Sequence, residues 1–89
     1  MAAYKVEFVK SAQKEFERLA AKTRIKTAEA LKLLAQNPYS ELLKVKKLKG
    51  ADNLFRIRLG DYRVVYEVRN EQLIVLVIKI GHRSEVYRR

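Results

Sequence analysis

The sequence predicts an α+β fold: two N-terminal helices packed on one face of a small, mainly antiparallel twisted sheet of about four strands. Three observations point to it. Near the start, Tyr4, Val6 and Phe8 alternate with Lys5 and Glu7, the period of a half-buried strand. Directly after it come two stretches in which apolar residues recur every three or four positions, the spacing of an amphipathic helix. The last third holds three segments rich in β-branched and aromatic residues, separated by short turn-forming pairs.

The first strand covers Tyr4 to Phe8. Ser11 is a candidate N-cap for the helix that follows, in which Ala12, Phe16, Leu19 and Ala20 form one face while Lys14, Glu15, Glu17 and Arg18 lie outside. Thr23 is a second candidate cap. After it Ile25, Ala28, Leu31, Leu34 and Ala35 form another stripe, which Asn37-Pro38 ends because proline lacks an amide hydrogen. The two segments form a helical hairpin. From Pro38 to Gly50 the chain is mostly irregular, with a short extended piece around Val45 to Leu48. Leu54–Leu59, Tyr62–Val68 and Leu73–Ile80 then form a meander turned at Gly60-Asp61 and Asn70-Glu71. The first strand must join the same sheet to satisfy its edge groups, and the helices must share one face of it.

With 89 residues the chain is expected to be one domain, 1–89, whose folding buries only about 60 to 65% of the surface its unfolded form exposes. The absence of Cys excludes a disulfide framework, a thiolate zinc site, an iron–sulfur cluster and a thiol nucleophile. His82 is the single histidine, so paired-His metal motifs are absent, and Gly50, Gly60 and Gly81 stand alone at turns rather than in a phosphate loop. No metal and no cofactor is expected. Charges at alternate positions of the first ten residues argue against a signal peptide. The longest apolar run, Leu73 to Ile78, falls short of the ~18–20 residues of a membrane helix. The expectation is a cytoplasmic protein with no membrane association. Its 20 Lys+Arg against 10 Asp+Glu give a net charge of +10.

If Gly60-Asp61 is a two-residue hairpin loop, Leu59 faces Tyr62, Arg58 faces Arg63, Ile57 faces Val64 and Phe55 faces Tyr66. Parity then puts Phe55, Ile57, Leu59, Tyr62, Val64 and Tyr66 on the helix-covered face. Arg56, Arg58 and Arg63 fall together on the other, with Glu67 alone to offset them. Like charges opposite each other cost roughly 0.2–1 kcal/mol, and a guanidinium cluster is a site for polyanions, because the planar fork grips phosphate oxygens in pairs. A charged strand face is also the ordinary solvated face of a sheet. The net charge and the nearby Lys44, Lys46, Lys47 and Lys49 weigh toward a nucleic-acid backbone as the ligand.

Gly81 is expected to end the last strand, releasing His82, Arg83 and Tyr87 to fold over a face. A tyrosine beside several guanidiniums is a nucleobase platform, stacking being worth about 1–3 kcal/mol per base. It also becomes a proton exchanger if the arginines lower its pKa from the reference of ~10.

Lys47-Leu48-Lys49-Gly50, then Phe55-Arg56-Ile57-Arg58-Leu59-Gly60-Asp61-Tyr62-Arg63-Val64-Val65-Tyr66-Glu67-Val68, then Ile80-Gly81-His82-Arg83-Ser84-Glu85-Val86-Tyr87 resembles the RelE branch of the RelE/ParE toxin superfamily. The likeness spans nearly the whole chain, including the opening strand and helical hairpin. It implies two helices against a twisted, mainly antiparallel sheet. It also implies an mRNA interferase of a type II toxin–antitoxin system, which cuts the codon in the ribosomal A site without a metal, the 2′-hydroxyl attacking the adjacent phosphate. Carried over by position, the resemblance implies two basic strand residues at Arg56 and Arg58, a transition-state clamp at Arg63, a leaving-group arginine at Arg83 and a tyrosine at Tyr87. The two strand positions are lysines in the best-known pattern and arginines here, and a guanidinium with a pKa above about 12 is a poor general base. Tyr87 or His82 then takes that role, or the ribosome supplies it.

Two alternatives stand beside this reading: a ParE-like DNA gyrase inhibitor on the same fold, and a noncatalytic basic RNA- or ribosome-binding module. Fold alone does not separate them. The arginine set with Tyr87 is what a nuclease needs and a gyrase binder does not, and a stacking module would show aromatics on the basic face, where Tyr62 and Tyr66 do not point. The implied partners are a RelB-like antitoxin, mRNA and the ribosome. Self-repulsion at +10 predicts a monomer alone and a hetero-oligomer with the antitoxin.

Overall fold

The structure, a computed structural model, describes residues 3–50 and 52–82. Strand β1 (Lys5–Phe8) leads into helix α1 (Lys10–Glu17) and helix α2 (Ala21–Gln36). A one-turn 3-10 helix (Glu41–Leu43) and a two-residue strand β2 (Lys46–Lys47) precede the meander β3 (Leu54–Leu59), β4 (Tyr62–Arg69) and β5 (Ile74–His82). The sheet has five strands in the order β1-β5-β4-β3-β2, the piece expected around Val45–Leu48 supplying the fifth. All neighbours are antiparallel except β1, which runs parallel to β5 from Lys5↔Ile74 to Phe8↔Val77. No helix among the described residues is long and apolar enough to cross a membrane.

β5 is an interior strand, flanked by β1 and β4, which is why its sequence is a nearly continuous apolar run. Val75 and Val77 are wholly buried, with Ile57 and Val64 of the hairpin and Leu34 of α2; each such side chain contributes roughly 1.5–3 kcal/mol. Tyr66 is buried too. Its ring stacks on Phe55 at 5.9 Å, Phe55 meets Tyr39 edge-on at 5.3 Å, and its hydroxyl donates to the Pro38 carbonyl at 2.7 Å. That bond satisfies the phenol's buried oxygen, and burial, with Tyr39 nearby, pushes the phenol above its ordinary pKa.

Neither expected side-chain cap forms. Val9 is the N-cap residue of α1 and Ala20 that of α2, leaving Ser11 and Thr23 inside their first turns. The cause is tertiary: the Val9 amide still donates to the Val77 carbonyl at 3.0 Å, so β1 pairing fixes where α1 begins. Ala20, expected on the apolar face, is exposed. In α2 the buried residues are Thr27, Ala30, Leu31 and Leu34, whereas Ile25 is 59% exposed. Thr27 serves as a core residue because its hydroxyl donates to the Thr23 carbonyl at 2.8 Å. The Asn70-Glu71 turn is longer than expected, running from Asn70 to Leu73, with Leu73 left-handed at φ 56°. The Leu73 carbonyl accepts the Lys5 amide at 2.7 Å, so β1 holds this strained residue in place.

Past the end of β1 the edge of β5 is closed by a side chain. Glu15 accepts the Ile80 amide at 2.9 Å through Oε1 and pairs with Lys79 through Oε2. Glu15 was expected on the solvent face of α1 and instead reaches the sheet.

Candidate nucleic-acid interface

The β3–β4 register is Leu59↔Tyr62, Arg58↔Arg63, Ile57↔Val64 and Phe55↔Tyr66, closed by Gly60-Asp61 with Gly60 at φ +64°. Phe55, Ile57, Leu59, Tyr62, Val64 and Tyr66 accordingly join the core, and the three arginines take the other face. Extending the register across the sheet gives rows of neighbouring side chains. Nearest the hairpin turn stands Arg58–Arg63–Gly81. The next row is Lys46–Arg56–Val65–Lys79, and beyond it comes Leu54–Glu67–Leu76–Glu7. Five cations therefore occupy two adjacent rows at one end of this face, of which Lys79 is already paired with Glu15 of α1. Its carboxylates lie at the other end, where Glu67 pairs with Arg69 at 2.6 Å and Glu7 with Lys5 at 3.8 Å. Glu67 is thus engaged away from the arginines it was expected to offset.

Lys79 reaches this face because of a β-bulge. The register shifts between Val65↔Lys79 and Tyr66↔Val77, so Ile78 is an extra residue on β5 and the parity of the strand reverses there. Val75 and Val77 point to the core before the bulge, and Ile80 does so after it.

The arginines differ in surroundings. Arg58 is exposed, while Arg56 and Arg63 are 7% and 3% exposed, with an Arg63 Nη1 to Tyr62 carbonyl hydrogen bond of 3.3 Å. Burial fixes a guanidinium in place, so it offers a charge that is already positioned. Beside them opens a cleft of about 360 Å³, lined by Arg56, Arg58 and Lys46 from the sheet and by Leu42, Leu43 and Lys44 from the segment before it.

Of the residues singled out in the sequence, the structure brings Lys44, Lys46, Arg56, Arg58 and Arg63 together. It separates three others from them. Lys47 pairs with Phe55 and has the opposite parity from Lys46. Lys49 lies past the Leu48 amide to Leu54 carbonyl bond, toward the far end of β3. His82 does not leave the sheet after Gly81: it is the last residue of β5, pairs with Tyr62 and meets that ring edge-on at 5.9 Å, so it shares the Tyr62 face. Arg83 and Tyr87 lie outside the described residues. Lys79 also joins this face, and its only signal in the sequence is that it interrupts an apolar strand. Leu42 and Leu43 carried none.

The family profile described as "ParE toxin of type II toxin-antitoxin system, parDE" matches residues 6–87. The mRNA interferase toxin RelE of Escherichia coli is 35% identical over 89 residues, an alignment covering 96% of this chain and 90% of that protein. The crystal structure of the isolated E. coli RelE toxin superimposes with a TM-score of 0.81 at 35% identity, covering 96% of this chain and 92% of that one. The toxin in the archaeal RelE–RelB complex from Pyrococcus horikoshii superimposes with a TM-score of 0.80 at 31% identity, covering 91% and 96%.

Proposed function

The chain belongs to the ParE toxin family of type II toxin–antitoxin systems, on its RelE-like branch, and from that membership we propose that it is a ribosome-dependent mRNA endoribonuclease that cuts the A-site codon and halts translation. The observation that carries the reading is the pair of basic rows on one sheet face, Arg58–Arg63 beside Lys46–Arg56. A gyrase binder has no need of guanidiniums facing each other at strand spacing; a phosphoryl-transfer site does.

In the proposed reaction the 2′-oxygen forms a bond to the adjacent phosphorus and the bond from phosphorus to the 5′-oxygen breaks. The products are a 2′,3′-cyclic phosphate and a 5′-hydroxyl. Negative charge grows on the phosphoryl oxygens as the attack proceeds, and fixed guanidiniums stabilise that state more than the ground state. Arg58 and Arg63 flank one phosphate across the ladder, Arg63 as the clamp. Arg56, Lys46 and Lys44 hold the neighbouring backbone. The proton of the 2′-hydroxyl must leave, and none of these cations accepts it. With His82 on the Tyr62 face, the acceptor is assigned to Tyr87 or a ribosomal group, and protonation of the leaving oxygen to the neighbourhood of Arg83. The partner assigned to restrain this activity is a RelB-like antitoxin, the kind of chain with which the Pyrococcus relative forms a complex.

The test is 5′-end mapping of a defined message in a cell-free translation mixture, with a ribosome-free control. Cuts in frame with the A site, absent without ribosomes and lost in Arg58→Ala, are the expected result. Arg58 is the residue of choice because it is exposed and its loss leaves the core intact. An intact message overturns the reading, and gyrase inhibition then becomes the next assay. Tyr87→Phe cutting at the wild-type rate removes Tyr87 as the acceptor.

A further inference from the structure

The cleft beside the arginines has two chemically different sides. One is cationic, formed by Lys46, Arg56 and Arg58; the other is apolar, formed by Leu42 and Leu43. Leu42 is 82% exposed, the most exposed large apolar side chain among the described residues, and no core contact accounts for it. Its exposure is not slack. The Leu42 amide donates to the Ser40 hydroxyl oxygen at 3.2 Å and the Leu43 amide to the Ser40 carbonyl at 3.3 Å. The segment then closes on Lys44, held left-handed at φ 51° with its amide on the Glu41 carbonyl at 3.1 Å. A lysine in that region costs about 1–2 kcal/mol, a strain that persists where surrounding structure over-determines it.

A ligand matching this cleft carries negative charge on one side and an apolar face on the other, in a volume of about 360 Å³. A single nucleotide has that form: its phosphate meets guanidiniums and a lysine in adjacent positions, and its base presents a flat, weakly hydrated face. An acidic amphipathic peptide fits less well, because two leucines offer no groove for successive turns of a helix. We propose that Leu42, backed by Leu43, is the wall on which the base rests when Lys46, Arg56 and Arg58 hold its phosphate, and that Leu42 thereby sets base preference. The inference rests on the reading of this face as an RNA site. An aliphatic wall makes no hydrogen bond, so it discriminates by size and shape, and base-edge recognition has to come from elsewhere.

The test uses the full chain and fluorescent 2′-O-methyl RNA trinucleotides, which lack the attacking hydroxyl, with the central base present or replaced by an abasic site. Wild type is expected to bind the base-bearing probe about five- to tenfold more tightly, the effect of burying a few tens of Å² of apolar surface. Leu42→Ser is expected to bind the two probes alike, whereas Arg58→Ala weakens both and keeps their ratio. Thermal melting verifies that Leu42→Ser is folded. A wild type indifferent to the base, a Leu42→Ser variant that keeps the wild-type ratio, or a failure of the base-bearing probe to bind overturns the inference. So does Leu42-dependent binding of an acidic Glu/Leu peptide in place of the trinucleotide. Mapping cuts in translating extract separates the two levels. If wild type cuts and Leu42→Ser gives the same codon distribution, the base wall fails and the nuclease reading stands. If wild type does not cut, the nuclease reading fails and the probe ratio alone decides the wall.

Discussion

Arg58 and Arg63 face each other across the β3–β4 ladder, but Arg58 is open to solvent and Arg63 is 3% exposed. Substitution therefore separates chemistry from stability in one of them and mixes the two in the other. Arg58→Ala is expected to lower cleavage by about 10² or more, the effect of removing one preorganised donor, with stability within about 0.5 kcal/mol of wild type. Arg63→Ala is expected to lose cleavage and also about 1–2 kcal/mol of stability, because its buried stem packs; an unchanged denaturant midpoint in Arg63→Ala counts against the buried placement. Tyr66→Phe leaves the Pro38 carbonyl without its 2.7 Å donor and is expected to cost about 1–2 kcal/mol. The same phenol has a pH consequence. Its folded pKa is raised by burial, with Tyr39 adding to the effect, so the folded state holds this proton more tightly than the unfolded chain does. The associated stability is fully present below the unfolded pKa of about 10 and is lost progressively as pH rises above it. Denaturation across that window is expected to show a steeper alkaline loss in wild type than in Tyr66→Phe.

At the scale of elements, β1 does more than add an edge to the sheet. Its pairing with β5 sets the start of α1 through Val9 and holds Leu73 left-handed through the Lys5 amide. It stops at Phe8, and there α1 supplies Glu15 to continue the β5 edge. Glu15→Ala is expected to expose the Ile80 amide and speed its hydrogen exchange, while the exchange of Val75 stays slow; equal protection of Ile80 in both proteins would falsify the edge-closing role. Glu15→Gln keeps an acceptor and loses only a half-exposed ion pair, so its stability cost is expected below about 1 kcal/mol. The bulge at Ile78 is the other element-scale device, since it returns Ile80 to the core and puts Lys79 in the row of Arg56.

For the whole molecule the governing quantity is charge and where it lies. The net charge is +10, and the rows concentrate cations at the hairpin end of one sheet face. Binding of single-stranded RNA is expected to weaken linearly on a log–log plot against salt, with a slope of roughly −0.7 for each phosphate neutralised. Removing the Arg58 charge is expected to reduce that slope by about 0.7, measurable by anisotropy with an uncleavable oligonucleotide. A slope unchanged in Arg58→Ala, with affinity also unchanged, excludes Arg58 from the phosphate-binding surface.

The hairpin was legible because its information is local: Gly60-Asp61 sets a two-residue loop, and a period of two then assigns every side chain from Phe55 to Tyr66 to a face. The sheet, the helical hairpin and the gathering of Arg56, Arg58 and Arg63 follow from that and from the apolar stripes. Helix phase was not local. Ser11 and Thr23 look like caps, and Ile25 like core, until the β1–β5 pairing fixes where the chain enters α1 and α2 packs with Thr27, Ala30, Leu31 and Leu34 inward. The parallel placement of β1, the bulge that reverses β5, the reach of Glu15 and the burial of two arginines all join residues far apart in sequence. Each depends on which strand ends beside which helix. The sequence thus determined the alternation and the charge, and tertiary packing decided which cations share a row, which of them are held rigid, and that an exposed leucine stands beside them.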